Sequence, residues 1–317
     1  MANQELSAAK RALLEKWRKG QLNNGPIGIP PRPADRPIAL SFPQRRQLFL
    51  ELLERGTAVN NLSTVLQLKG KLNLAALEQS ASQILARHEI LRTRFSFGLG
   101  LPVPEVLADV AIPLPIVDLR ELERTKQEEE ALRLAEKEVL QPFNLNQAPL
   151  IRLKLYRLDD EEHWLLLTVH HTIADGWSLG VFLRELMFFY RAISSGQSAQ
   201  LPELPIQYAD FAHWQTEEAR QEKMQPSLDY WKKQLGGEIP VLELPTDSPR
   251  GARQTFAGGT HRFILSSELT EALEKLSREE NATLFMTLLT AFFILLQRYS
   301  GQEEVLIGSP IANRNLP

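Results

Sequence analysis

The run Trp164-Leu165-Leu166-Leu167-Thr168-Val169 constrains this chain most. Apolar residues alternating with polar ones mark a strand with one wet face, whereas a run without alternation marks a strand covered on both sides. Helical periodicities before and after it make the chain α/β. The strand then ends in His170-His171-Thr172-Ile173-Ala174-Asp175-Gly176-Trp177-Ser178, which places two imidazoles, a carboxylate and a turn glycine where the chain leaves its core. Successive strand side chains point to opposite faces, so His170 and His171 have different jobs.

The elements around this strand follow from local signals. Leu150 to Tyr156 and His163 to His170 flank Asp159-Asp160-Glu161-Glu162, a polar reversal between apolar runs that predicts a hairpin. Ser41-Phe42-Pro43-Gln44 has the form of a capping box opening a helix to about Glu54, closed by Gly56. Leu62 to Leu68 and Ile90 to Phe95 read as strands, with a helix between them capped by Asn73. Val106 to Val117 is extended, and Leu119 to Leu140 is a charged helix. Helical spacing returns from Ser178 to Ala192, around Tyr208 to Trp214, around Leu228 to Leu235, at Leu269 to Arg278 and at Thr283 to Tyr299. Thr260 to Leu265 and Val305 to Ile311 read as further strands.

A chain of 317 residues exceeds what one core usually occupies, which predicts two lobes with a cleft between them. Residues 1–36 read as an N-terminal helix and a Gly/Pro-rich linker, 37–205 as the N-terminal lobe and 206–317 as the C-terminal lobe. Leu6, Leu13, Leu14 and Trp17 make the leading helix amphipathic, with Lys10, Arg11, Lys16, Arg18 and Lys19 around them. The net charge of −3 shows no bias toward nucleic acid or anionic membrane. The strongest apolar run, Leu284 to Leu296, is short of the ~20 residues a spanning helix needs and reads as a buried helix. The absence of cysteine excludes disulfides, thiolate nucleophiles and cysteine metal sites, and a cytoplasmic location follows most simply.

Neutral imidazole, with a reference pKa near ~6.5, accepts a proton at physiological pH without special tuning, which makes His171 the candidate base. A lone histidine at a strand end is more often a hydrogen-bonded core residue, and only the whole string shifts that balance. Asp175 either orients the ring or pairs with an arginine and fixes the loop. The turn dipeptide Asp175-Gly176 favours the loop role, with Arg92 as first candidate cation and Arg314 as second. Gly176 permits the turn and a close substrate approach, Trp177 packs under the loop, and His170 is a buried support. Diverging adjacent histidines make a poor zinc site, no phosphate loop is present, and Ser178 lacks a nucleophile elbow.

The string resembles the His-His-x-x-x-Asp-Gly motif of the condensation domains of nonribosomal peptide synthetases. Ser41-Phe42-Pro43-Gln44-Arg45-Arg46-Gln47-Leu48-Phe49 is similar to the family's opening helix motif, with Pro43 and Phe49 where alanine and tryptophan are common. Arg87-His88-Glu89-Ile90-Leu91-Arg92-Thr93-Arg94-Phe95 is similar to its second motif. Tyr208-Ala209-Asp210-Phe211-Ala212-His213-Trp214 and Ile307-Gly308-Ser309-Pro310-Ile311-Ala312-Asn313-Arg314 resemble later ones. The glycine-aromatic-valine-asparagine motif that follows in the family is missing, so the second lobe is expected to be truncated.

The resemblance implies a two-lobed, chloramphenicol acetyltransferase-like α/β fold with a central cleft. It implies aminolysis of a carrier-bound acyl or peptidyl thioester by a carrier-bound aminoacyl amine. His171 would be catalytic, with His170, Asp175, Gly176 and Arg92 in support, while Tyr208 and Asp210 would stitch the second lobe. No cofactor or metal would be bound directly. Substrates would arrive on phosphopantetheine arms of donor and acceptor peptidyl carrier domains, in a module with an adenylation domain and without nucleic acid or membrane. The competing expectations are another acyltransferase of the same fold and a non-catalytic platform that docks carrier proteins.

Overall fold

The computed structural model describes residues 28–53, 56–98, 100, 102–220, 224–248 and 258–311. The expected leading helix and Arg314 lie outside them. The chain divides into two compact units, the second opening at Met224. The sequence places this division near Pro205. The difference arises because the Tyr208 helix bonds to segments of the first unit: the Tyr208 hydroxyl lies 2.8 Å from Ser41 Oγ, Asp210 accepts from the Arg32 N–H at 2.8 Å, and Gln215 accepts from the Phe42 N–H at 2.7 Å.

The first unit contains α1 (Phe42–Leu53), β1 (Asn61–Lys69), α2 (Leu74–Arg87), β2 (Thr93–Ser96), β3 (Val103–Val106) and β4 (Ile116–Asp118). It continues with α3 (Arg124–Val139), β5 (Ile151–Asp159), β6 (Glu162–His170), α4 (Gly176–Ser194) and α5 (Tyr208–Arg220). The main sheet has the order β1-β6-β5-β4, with β6 antiparallel to both neighbours and β4 parallel to β5. β2 and β3 form a separate antiparallel pair.

β6 is buried from His163 to His170, as its unbroken apolar run requires. On one face Leu165, Leu167 and Val169 join Leu77 and Ile84 of α2 and Phe182 and Leu186 of α4 in one core. On the other, Trp164 and Leu166 join Ala131 and Ala135 of α3 and Tyr156 of β5 in a second. Helices thus cover the sheet on both sides, and within β6 only Glu162 at its start is not fully buried.

Caps fix where the helices start. Gln44 N–H donates to Ser41 Oγ at 3.2 Å and Ser41 N–H to Gln44 Oε1 at 3.1 Å, the reciprocal pair of a capping box. Asn73 caps α2 by accepting from Ala76 N–H at 3.1 Å. Gly56 follows α1 at φ 75°, a left-handed position that suits glycine. Two expectations shift: Glu89–Arg92 is a 3₁₀ turn, leaving a strand only from Thr93, and α3 begins at Arg124 rather than Leu119.

The second unit contains α6 (Gln225–Gln234), α7 (Ser267–Glu279) and α8 (Leu284–Ser300). Ser266 and Thr283 cap α7 and α8, accepting from Leu269 and Met286 N–H. The strands expected at Thr260 to Leu265 and Val305 to Ile311 are not formed. A strand is held by its neighbour's hydrogen-bond ladder, and no strand occurs among the described residues of this unit. The expectation of a buried α8 also fails, since within it only Leu296 is buried while Phe285, Phe292, Ile294 and Leu295 are exposed. Among the described residues no single helix is long and apolar enough to cross a membrane.

Candidate active site

Both histidines are anchored through their backbones by neighbouring strand and loop residues. The His170 N–H donates to the Leu150 carbonyl at 3.0 Å and the His171 N–H to the Asn60 carbonyl at 2.8 Å. The chain then turns, Ile173 N–H donating to the His170 carbonyl at 3.1 Å. The two rings part as strand alternation requires: His170 is 2% exposed, while His171 is half-buried.

The His170 ring is committed. Its Nδ1 lies 2.9 Å from Thr172 Oγ1 and 3.2 Å from the Thr172 N–H. An amide N–H can only donate, so Nδ1 accepts and a neutral ring carries its proton on Nε2. Nε2 faces Glu51 Oε2 at 3.8 Å, and the Phe143 ring stands edge-on to the imidazole at 6.0 Å between centroids. The Arg152 guanidinium stacks on Phe143 at 3.9 Å. The His171 imidazole, by contrast, has no hydrogen-bond partner among the described residues.

Asp175 is the N-cap of α4. Its Oδ1 accepts from Ser178 N–H at 2.8 Å and from Ser178 Oγ at 2.6 Å, which fixes the helix start at Gly176, five residues after His171. Its expected pairing with Arg92 is not found: Arg92 donates instead to the Leu107 carbonyl at 2.6 Å and secures the strand pair β2–β3. Gly176 is the first residue of α4 and does not have positive φ, so the turn does not require glycine. A Cβ there would meet open space, which leaves room beside the motif. Trp177 is 62% exposed rather than packed under the loop.

The second motif braces α4. Arg87 and His88, at the end of α2, bind the Glu185 carboxylate at 3.2 and 2.7 Å. Gln207 joins in, donating to the Arg87 carbonyl at 3.0 Å and accepting from the Glu89 N–H at 3.1 Å.

Sequence reasoning missed α1 as a contributor to the site. This helix is inside out: Gln44, Gln47, Leu48 and Glu51 are buried, whereas Phe49, Leu50 and Leu53 are exposed. Gln44 donates to the Thr172 carbonyl at 3.2 Å, and Glu51 accepts from Asn60 Nδ2 at 3.3 Å. Burial raises the Glu51 pKa, but the His170 ring 3.8 Å away, the Asn60 amide and the Gly56 backbone outweigh it and leave the carboxyl below the usual range. The signal was present in the spacing of Gln44, Gln47 and Glu51, which puts polar residues on one helical stripe.

Comparison with known proteins decides the family. The family model for the condensation domain matches residues 35–317. The chain is a condensation domain.

Related sequences match it over almost its whole length. Phosphinothricin tripeptide synthetase PhsC of Streptomyces viridochromogenes is 41% identical over 314 residues, covering 98% of this chain and 29% of that protein. Malpibaldin synthetase of Mortierella alpina is 41% identical over 301 residues, covering 93% of this chain and 5% of that protein. The condensation domain thus spans a small part of the synthetases it matches. Among solved structures, the X-domain from teicoplanin biosynthesis superposes with a TM-score of 0.74 at 29% identity, covering 86% of this chain and 59% of that one. The first condensation domain of the CDA synthetase gives 0.69 at 20% identity, with coverage of 86% and 64%, a likeness of fold. The α/β architecture is accordingly the chloramphenicol acetyltransferase-like one expected from the motifs.

Proposed function

We propose that this condensation domain forms an amide bond in nonribosomal peptide synthesis, with His171 as the proton acceptor. One observation carries the assignment. Of the polar side chains in the motif, His170, Thr172, Asp175 and Ser178 are all bonded within the loop, while the half-buried His171 ring is not.

In the proposed step the amine nitrogen of an aminoacyl thioester attacks the carbonyl carbon of a donor thioester. The C–N bond forms, the C–S bond breaks, and the donor's phosphopantetheine sulfur leaves. An α-amine has a pKa near ~8, and attack places positive charge on nitrogen. His171 takes that proton and can pass it to the departing sulfur. The domain supplies no cofactor; donor and acceptor peptidyl carrier domains bring both substrates, and an adenylation domain loads the acceptor. Holding two tethered reactants in register can supply an effective molarity of ~10⁵ M or more, so positioning contributes more than the base.

The test is His171→Ala in the full-length synthetase, followed by the rate of dipeptidyl transfer between loaded carriers. The expected loss is about 10² to 10⁴ with the unfolding temperature unchanged. Transfer at the wild-type rate overturns the assignment. A second reading, a non-catalytic docking platform, draws on the X-domain solved in complex with OxyB, which is 28% identical. Carrier binding without turnover in the unmutated protein would select it.

A further inference from the structure

We propose that Glu51 is a positioning residue for His171, acting through two arms that meet at consecutive residues of the loop. The inference rests on the reading of His171 as the proton acceptor and extends it to a carboxylate on another helix.

The first arm runs through a ring. Glu51 Oε2 faces His170 Nε2 at 3.8 Å, the nitrogen left to carry the proton once Nδ1 accepts from Thr172. A carboxylate there favours that tautomer, and that tautomer favours the Thr172 bond, so the two contacts support each other. Phe143, capped by Arg152, lies against the same ring. The second arm runs through the backbone. Asn60 donates its side-chain amide to Glu51 at 3.3 Å and accepts the His171 N–H on its carbonyl at 2.8 Å. Glu51, Asn60 and His170 are 8%, 8% and 2% exposed, so solvent does not compete for these contacts.

Burial of a carboxylate is costly and is tolerated where hydrogen bonds offset it. Glu51 has such partners, and its lowered pKa keeps it ionised at neutral pH. The same stripe of α1 sends Gln44 to the Thr172 carbonyl. The buried polar face of α1 is thus directed at the loop that carries His171, and Glu51 is its charged member.

A double-mutant cycle on transfer rate in the full-length synthetase tests this, using Glu51→Ala, His171→Ala and the pair. Expected are a kcat about tenfold lower for Glu51→Ala with KM for both carriers within about twofold, recovery in Glu51→Gln, which keeps an acceptor oxygen, and no further loss in the pair beyond His171→Ala alone. Losses that multiply in the pair overturn the inference by placing the action of Glu51 elsewhere. So does an unchanged kcat with only a lowered unfolding temperature, since Glu51 is then merely structural. If His171→Ala alone keeps the wild-type rate, the base assignment falls and the inference falls with it. An impaired His171→Ala beside an unaffected Glu51→Ala refutes the Glu51 inference alone.

Discussion

β6 and α8 are both apolar runs of the kind a sequence reader assigns to a core, yet only one is buried. β6 has a strand on each side and a helical layer on each face, and every residue from His163 to His170 is covered. α8 carries Phe285, Phe292, Ile294 and Leu295 at 46% exposure or more. The difference teaches that composition sets the demand for cover, while topology decides whether it is met.

The largest expected effect that tests this contrast is Leu167→Ala. Leu167 is 1% exposed between two strands, and its truncation should destabilise the first unit by about 3 kcal/mol or more in urea unfolding. A loss under about 1 kcal/mol would break the comparison. Asp175→Ala removes the two-bond cap of α4 and should cost about 1 to 2 kcal/mol, read the same way. Thr283→Ala removes a single cap bond on the exposed α8 and should cost about 1 kcal/mol or less. Amide exchange should place the first loss on the whole of α4 and the second on the first turn of α8.

A subtler probe is Tyr156, fully buried with its hydroxyl unpartnered among the described residues. Burial first, and then the nearby Glu138 charge, pushes its pKa from 10.0 up to about 12. Below pH 10 folded and unfolded chains both keep the proton. Between 10 and 12 the unfolded chain loses it first, so this contribution to stability declines as pH rises. Tyr156→Phe should be neutral or slightly stabilising at pH 7 and should reduce the decline between pH 10 and 12. An unchanged alkaline slope would show that the hydroxyl is not sealed. The smallest effect is expected for Ile294→Ser, 52% exposed, which should shift stability by within about 0.5 kcal/mol.

What could be read from the sequence was what neighbours in the chain decide. The β5–β6 hairpin followed from Asp159 to Glu162, the start of α1 from Ser41 and Gln44, and the start of α2 from Asn73, each a signal within a few residues. What was missed depends on distant partners. Thr260 to Leu265 and Val305 to Ile311 have strand composition, but no ladder forms on them. Arg92 looked like a partner for Asp175, but the Leu107 carbonyl is nearer to hand across the β2–β3 pair. Glu51 was missed because a glutamate in a helix is ordinarily a solvated residue, and only the position of His170 makes it otherwise. His170, His171 and Asp175 stand out in the sequence because motif and strand end coincide.

The reversed polarity of α1 has a practical consequence for anyone who re-engineers such domains. Hydropathy-guided optimisation would put leucine at Gln47 and Glu51 and lysine at Phe49 and Leu53, and each swap would look like a repair. With Glu51 as a positioning residue, the protein so improved would express well and melt higher while turning over about tenfold more slowly, so yield and thermostability screens would reward the variants with impaired chemistry.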